Sequence, residues 1–396
     1  MGRKLTCWWF LVGALSACRS IDIDPVGGGG SAVQGGAPPA GAAGAGGTPA
    51  EGGSGGQAPP CELCGGDVCI DLATDPESCG VCGETCLLDC EAGACVISEN
   101  DGVHDVDYSV DHLYWVGAST VSRSFGGINP PDTINITSRS YYDLEVQSER
   151  VYLTYVNENM PPAPAPPVYI PWATPVVETL AACPGTLDCS GVQLLTASDV
   201  TLWTSPSGVY FRSTTLMPVP SVADPVLPGL AISVAASTEP SLYAYGDFTH
   251  VYIADLSLPI EPIDGFDTVN SIAFAGTTFF AGDKRGVSCG VAAEPSQQLI
   301  VDAGPVASVL TTPGTVFAVM PSESGPDLLV RIPGVCSAVP LEGVEIVASS
   351  GACRIGGLSS NPDGERIYWS QYGGAGCAGV FSRRTDAFAL GTLADP

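Results

Sequence analysis

The ten residues Ser360-Asn361-Pro362-Asp363-Gly364-Glu365-Arg366-Ile367-Tyr368-Trp369 carry a clear structural signal in this 396-residue chain. Pro362 fixes its own φ near about −65°, and Gly364 tolerates a positive φ, so the Pro-Asp-Gly sequence predicts a tight turn. The apolar and aromatic residues that follow this turn are typical of a buried β-strand. The stretch therefore predicts two antiparallel strands joined by a short turn.

The apolar-aromatic-apolar strand of this stretch recurs along the second part of the chain. Its seven copies are residues 112–115, 150–153, 200–203, 250–253, 278–281, 315–318 and 366–369. Their spacing is centred near the roughly 40–50 residues that one four-stranded propeller blade needs. Helix signals are nearly absent. We therefore predict an all-β domain over residues 97–396, a β-propeller of about seven blades with a range of six to eight. The alternative is a pair of β-sandwich domains, whose strands alternate in the same way.

The copy at 360–369 resembles the Pro-Asp-Gly repeats of exported bacterial β-propellers. This resemblance implies that Pro362, Asp363 and Gly364 form the turn between the two innermost strands of a blade. The other copies lack the Asp-Gly turn, so the resemblance leaves the number of blades open.

The N-terminus has the features of an export signal. Arg3 and Lys4 precede an apolar run over residues 5–14, which is too short for a comfortable membrane span, so residues 1–17 are predicted to be a signal peptide. Small residues followed by Cys18 resemble the bacterial lipobox. This resemblance implies a lipoprotein in which Cys18 carries diacylglycerol and fatty acids such as palmitate, and Arg19 after it favours the outer membrane. The alternative is ordinary signal-peptide cleavage with Cys18 unmodified.

Residues 18–60 comprise the lipidated N-terminus and a linker made almost entirely of Gly, Ala, Pro and Ser. Such a segment cannot bury a core. As a flexible coil it would span on the order of 35 Å, enough to hold a domain clear of the membrane.

A cysteine-rich module is predicted over residues 61–96. Fourteen cysteines follow Cys18, an even number in an exported chain, which indicates disulfides. They are Cys61, Cys64, Cys69, Cys79, Cys82, Cys86, Cys90, Cys95, Cys183, Cys189, Cys289, Cys336, Cys353 and Cys377. Zinc is the alternative for the two C-x-x-C pairs at 61–64 and 79–82. The module resembles cysteine-rich segments that follow Gly/Pro linkers in surface proteins of myxobacteria and related bacteria, which have no single activity.

Three pairings are predicted among the later cysteines. Pro184 and Gly185 start a turn that would bring Cys183 to Cys189. The last blade joins Cys353 to Cys377, which leaves Cys289 for Cys336. The eight cysteines of the module allow 105 pairings, and the sequence chooses none of them.

The chain is strongly acidic, with 42 Asp and Glu against 14 Lys and Arg and a net charge of −28. Nucleic acid is excluded as a partner because too few cationic residues are present to neutralise phosphates. Membrane contact is expected through the lipid anchor only. The negative charge indicates a surface that keeps the protein soluble, or a surface that attracts cations and basic partners.

Few residues suggest chemistry. Asp101, Asp105 and Asp107 offer carboxylate oxygens that could ligate calcium, with a solvated acidic strand edge as the alternative; no other cofactor is expected. Three histidines give general acid–base catalysis few candidates. Ser288 lies in a Gly-x-Ser-x-Gly sequence, but no helix pattern and no histidine follow it, so a nucleophile is not predicted there.

Two hypotheses about function remain from the sequence. The first is a non-catalytic surface module that binds a protein or glycan partner, and we expect no catalytic residues for it. The second is a propeller enzyme, a lyase or hydrolase, that acts on extracellular polysaccharide. Fold alone does not separate them, because propellers host both roles. The separating observation is whether carboxylates with a His or Arg gather at the central channel.

Overall fold

The computed structural model describes residues 61–394, except for the segments 157–166, 181–192 and 214–223 and shorter gaps of one to four residues. Its elements are strands, with one 3-10 turn at Leu341–Gly343 among the described residues. No helix in this described part is long and apolar enough to cross a membrane.

Seven sheets of four or five antiparallel strands account for most of the described residues, and each is called a blade below. Blade 1 consists of Asp105–Ser109, His112–Val116, Thr120–Phe125 and Asp132–Asn135, and blade 2 of Ser140–Gln147, Arg150–Val156, Val168–Pro171 and Glu178–Thr179. Blade 3 consists of Leu194–Ala197, Val200–Ser205, Gly208–Ser213 and Asp224–Pro228, and blade 4 of Ser233–Ala236, Leu242–Gly246, His250–Asp255, Leu258–Pro259 and Ile263–Asp264. Blade 5 consists of Ser271–Ala275, Thr278–Gly282, Gly286–Val291 and Gln297–Asp302, and blade 6 of Ser308–Thr312, Thr315–Met320, Leu328–Pro333, Glu345–Ser349 and Gly391–Thr392. Blade 7 consists of Arg354–Ser360, Arg366–Tyr372, Val380–Arg384, Ala94–Ser98 and Cys90–Glu91.

The innermost strands of successive blades are neighbours around a ring, and the innermost strand of blade 7 lies beside that of blade 1. Apolar side chains from facing sheets fill the space between neighbouring blades, with separate cores between blades 5 and 6 and between blades 6 and 7. This arrangement is a β-propeller. The predicted all-β propeller is confirmed, with its blade number inside the expected range of six to eight.

The two ends of the propeller sequence add outer strands to the last two blades, and the N-terminal one closes the ring. Ala94–Ser98 pairs antiparallel with Val380–Arg384 as an outer strand of blade 7. Gly391–Thr392 pairs with Glu345–Ser349 of blade 6. The predicted boundary between residues 96 and 97 therefore falls inside a strand, and the cysteine-rich residues continue directly into the propeller.

Six of the seven sequence copies form the second strand of a blade, and they bury aromatic side chains such as Trp115, Trp203 and Trp369 between the sheets. The copy at 250–253 is the exception, because it forms the third strand of blade 4, and the second is Leu242–Gly246. Tyr245 of the second strand pairs directly with Tyr252 of the third strand. Because both strands have a tyrosine among apolar residues, the sequence pattern fits either strand.

The predicted turn at 362–364 is confirmed between the innermost and second strands of blade 7. Gly364 has φ +68°, and its N–H donates to the Asn361 carbonyl at 2.9 Å. A side chain at position 364 would also meet Pro313 of blade 6, because its Cβ would lie only 2.4 Å from the proline Cδ. Glycine is thus required both by backbone conformation and by the close approach of the next blade.

The cysteine-rich residues pack against blade 7. A two-stranded sheet, Cys61–Leu63 with Cys69–Asp71, starts this region. Glu84 forms an ion pair with Arg366, and the carbonyl of Ala92 accepts a hydrogen bond from Arg383 at 3.2 Å. The module is therefore attached to the last blade by side-chain contacts as well as by the chain itself.

Candidate functional site

The predicted site residues fall partly outside the described part of the chain. The residues outside the described part are Cys18, Asp101, Cys183 and Cys189. Lipidation and the Cys183–Cys189 bond therefore stay predictions. Asp105 and Asp107 are described, and they occupy the innermost strand of blade 1.

Asp105 connects blade 1 to blade 2. Its two carboxylate oxygens accept the N–H of Val106 at 2.9 Å and the N–H of Leu144 at 2.7 Å. Leu144 belongs to the innermost strand of blade 2. Asp105 is buried, and so are both of its donors. The carboxylate thus supplies acceptors to backbone groups that would otherwise lack them.

Asp107 connects three blades. It accepts the N–H of Tyr108 at 2.8 Å, the N–H of Val146 in blade 2 at 2.8 Å, and the hydroxyl of Ser359 in blade 7 at 3.2 Å. With Asp105 it forms what we call the carboxylate clasp. The carboxylate oxygens of both residues accept hydrogen bonds from the protein. Calcium at these residues stays a prediction.

Burial governs the electrostatics of the clasp. Burial raises the pKa of Asp105 well above its usual range, the nearby Asp143 carboxylate raises it further, and the backbone N–H of Leu144 opposes the rise. Burial likewise raises the pKa of Asp107 to about 6. Each charge is therefore held at a cost in solvation, which the backbone donors offset in part.

The three histidines occupy different surroundings. His104 precedes the innermost strand of blade 1, and burial lowers its pKa. His112 packs edge-to-face on Phe125 with ring centres 5.4 Å apart. His250 lies in blade 4, with Nε2 3.0 Å from Asp264 and Nδ1 3.2 Å from Asp247. The first two histidines are thus on blade 1 and the third is on a different blade, each with its own neighbours.

Ser288 lies within the third strand of blade 5 and is fully buried. A nucleophile elbow requires an exposed serine at a turn between a strand and a helix. The mid-strand position agrees with the sequence reasoning that no nucleophile is formed there.

Five disulfides are present among the described cysteines. They are Cys64–Cys82, Cys79–Cys90, Cys86–Cys95, Cys289–Cys336 and Cys353–Cys377. The last two match the predicted pairings. Cys79, Cys86 and Cys95 have sulfur atoms within 4.8 Å of one another, but each is already bonded to another cysteine, which favours bridges over zinc.

A cavity of about 350 Å³ lies between blades 6 and 7, beside the Cys353–Cys377 bond. Its walls come from the end of the outer strand of blade 6, the second and third strands of blade 7, and the turn that precedes Ala94–Ser98. Sequence reasoning assigned Trp369 to the core and did not find this cavity, because its walls come from segments far apart in the chain.

No family model matches the chain, and no curated protein matches it. Among solved structures, a chain of the Mitotic Checkpoint Complex has a TM-score of 0.54 and 13% identity, covering 73% of this chain and 93% of that one. The computationally designed Ika8 protein has a TM-score of 0.49 and 9% identity, covering 72% and 97%. The likeness to the first shows the fold alone. A β-propeller is consistent with a binding or scaffold role.

Proposed function

We propose that this chain is a lipid-anchored protein of the outer membrane whose propeller binds a protein or glycan partner without converting it. In this proposal Cys18 carries the acyl chains, residues 18–60 form the tether, and the propeller presents its loops away from the membrane. Two or more acyl chains are needed for stable anchoring, and the lipobox-like sequence provides for them.

The observation that carries the non-catalytic part is the state of the carboxylate clasp. A general acid or base must reach the proton that it transfers, at about 2.6–3.2 Å from the reacting group. The carboxylates of Asp105 and Asp107 instead accept backbone N–H groups of two blades. They hold the innermost strands together, which supports a structural role for these two acidic residues.

The rigidity of the ring also supports a binding role. Two disulfides link segments within blades 5 to 7, and the buried Arg383 donates to main-chain carbonyls of Val347, Ala92 and Phe388. Loops carried by a rigid scaffold bind partners with a smaller loss of conformational entropy.

The test uses the full chain with Cys18→Ser, purified without detergent and immobilised through its C-terminus. Extracellular polysaccharides and secreted proteins are passed over it, and the bound and unbound fractions are analysed for cleavage products. Saturable binding with unchanged partner supports the proposal.

Catalytic turnover by the purified chain would contradict it. Loss of that activity in Asp105→Asn or Asp107→Asn, with an intact fold by circular dichroism, would in addition show that the carboxylate clasp is catalytic. Absence of saturable binding to every partner class would contradict it as well.

A further inference from the structure

Blades 1 and 2 expose large apolar side chains at one end of their sheets. Val110 lies in the turn between the innermost and second strands of blade 1, and Phe125 ends its third strand. Val176 and Val177 lie in the loop between the third and fourth strands of blade 2. In antiparallel blades these positions share one end, so they face the same side of the ring. We call these four residues the rim patch.

The side chains of the rim patch are well exposed, at 67% for Val110, 52% for Phe125 and 61% for Val176. Among the described residues, no exposed large apolar side chain lies on the loops at the opposite end of the blades. Single exposed apolar residues are ordinary, but a group of them on neighbouring loops marks an interaction site.

A row of rings beneath the rim patch joins its two halves. Phe125 packs edge-to-face on His112, whose ring centre lies 6.1 Å from that of Tyr114. Tyr114 in turn meets Trp172 of blade 2 edge-to-face at 5.6 Å, and Trp172 begins the loop that carries Val176. The two exposed groups therefore stand on one packed support that crosses from blade 1 to blade 2.

The backbone of Val110 gives a second, independent observation. Its φ is +57°, a conformation that is unfavourable for a β-branched residue and that turns normally fill with Gly or Asn. Main-chain atoms hold this turn, because the Gly126 N–H donates to the Asp111 carbonyl at 2.7 Å. The valine side chain is exposed, so burial within the chain does not offset the strain. Contact with a partner would give this side chain a role.

The exposed charges around the rim patch are negative. Asp111 shares the turn of Val110 and is exposed. The side chains of Asp132 and Glu149 are 79% and 67% exposed. Arg123 lies between these two carboxylates at 4.0 Å and 3.8 Å, and its own side chain is largely buried. A partner therefore meets carboxylates, whereas the guanidinium is already placed between them.

This charge selects the class of partner. Exposed carboxylates attract Lys and Arg and repel acidic surfaces, which disfavours nucleic acid and anionic lipid. A second copy of this chain carries the same net charge of −28. Residues 18–60 of this chain contain Arg19 against Asp22, Asp24 and Glu51, so this linker is not a basic segment either.

We propose that the rim patch docks a basic segment of another protein, in which apolar side chains alternate with Lys or Arg. The inference rests on the proposed binding function and names the partner class and the face of the propeller. The apolar side chains of the segment cover the rim patch, and its cations pair with the surrounding carboxylates.

The test is fluorescence anisotropy of the Cys18→Ser chain with three short labelled peptides of equal length, made of leucine and lysine, of serine and lysine, and of leucine and glutamate. The leucine–lysine peptide should bind saturably, and more weakly as salt is added, because salt screens exposed charges. The other two peptides lack either the apolar side chains or the cations and should bind at least about tenfold more weakly.

Variants locate the binding surface. Phe125→Ser and Val176→Ser should each weaken binding of the leucine–lysine peptide about tenfold. The matched control is Val335→Ser, because Val335 is 52% exposed on a loop of blade 6, away from blades 1 and 2. For the charges, Asp132→Asn should weaken binding about threefold and reduce its salt dependence, whereas Asp302→Asn on blade 5 should change neither.

Val110→Asn separates docking from a structural role. Asparagine suits the positive φ better than valine does, so the urea midpoint of unfolding should rise. The affinity for the leucine–lysine peptide should nevertheless fall about fivefold, because an apolar contact is lost. A lower urea midpoint would show that the valine side chain serves the fold, and this would overturn its assignment to the docking surface.

The outcomes separate this inference from the function on which it rests. If a glycan or a protein binds the chain while the rim-patch variants leave its affinity unchanged, the docking surface is wrong and the binding function stands. Equal binding of the leucine–glutamate peptide would refute the basic partner class. Concentration-dependent dimers that Phe125→Ser abolishes would show that a second copy occupies the patch, which would also overturn the proposal. Absence of binding to every peptide and every partner would refute both.

Discussion

Replacing Asp105 by alanine removes the part of the carboxylate clasp that is most deeply buried. The change leaves the N–H groups of Val106 and Leu144 without acceptors in an environment that water does not reach. Each unpaired buried donor costs about 1–3 kcal/mol, which gives about 2–6 kcal/mol for the two. The repulsion from Asp143 and the poor solvation of the carboxylate, which raise the pKa of Asp105, disappear at the same time. We therefore expect a net loss near the lower end, about 2–4 kcal/mol.

Asparagine at the same position separates hydrogen bonding from charge. Its carbonyl oxygen serves one of the two N–H groups, whereas its NH₂ group faces the other, so a loss of about 1–2 kcal/mol is expected. The measurement is urea unfolding at pH 7 followed by tryptophan fluorescence, with stability from the midpoint and slope. Asp302→Ala, at the exposed end of the outer strand of blade 5, is the matched control and should stay within about 0.5 kcal/mol of the parent.

The reasoning is refuted if Asp105→Ala unfolds at the same urea concentration as the control. That result would mean that the innermost strands of blades 1 and 2 are held by their apolar core alone. It would also remove the main support for a structural role of Asp105 and Asp107.

Four further predictions concern Asp107, Arg383, the Cys353–Cys377 bond and Cys18. The native pKa of Asp107, about 6, lies above the unfolded value, so its contribution to stability grows as pH falls from about 6 to about 4. Asp107→Asn should reduce this slope in urea titrations, and the raised pKa of Asp105 accounts for a slope of the same sign that remains. Arg383→Met leaves three carbonyls without their cation and should lower stability by about 2–4 kcal/mol in the same assay. Replacing Cys353 and Cys377 by serine removes a cross-link between residues 24 positions apart in sequence. The free energy of unfolding should fall by about 3 kcal/mol in the same urea assay. Cys18→Ser should abolish palmitate labelling and membrane sedimentation, and retention of both would contradict lipidation.

Local sequence signals predicted the strands well. The aromatic copies located the second strand in six blades, because burial between two sheets selects aromatic and β-branched residues at alternate positions. The Pro362–Gly364 turn was predictable because its backbone conformation restricts which residues can occupy it. The assignment failed in blade 4, where Tyr245 and Tyr252 stack across adjacent strands and give both the same pattern.

Contacts between distant segments were not predictable in this way. Asp105 and Asp107 suggested calcium from their spacing, but spacing does not reveal that N–H groups near residues 144–146 approach them. The cavity wall likewise joins residues near 91 with residues near 350 and 370. The Gly-Asp sequences at 246–247 and 282–283 were a missed signal. In both, the aspartate accepts the N–H groups two and three residues later and fixes the turn after the second strand.

The ring is completed by a strand made early and a strand made late in synthesis. Ala94–Ser98 leaves the ribosome long before Val380–Arg384 can pair with it. Until then the seventh sheet has an open edge, and contacts this distant in sequence form slowly. The Cys86–Cys95 bond closes a short loop and needs no later part of the chain, so its formation would hold the waiting strand in an ordered state. If that bond were removed, the late edge would have time to accept the same strand from a second molecule, and we expect domain-swapped oligomers as the result.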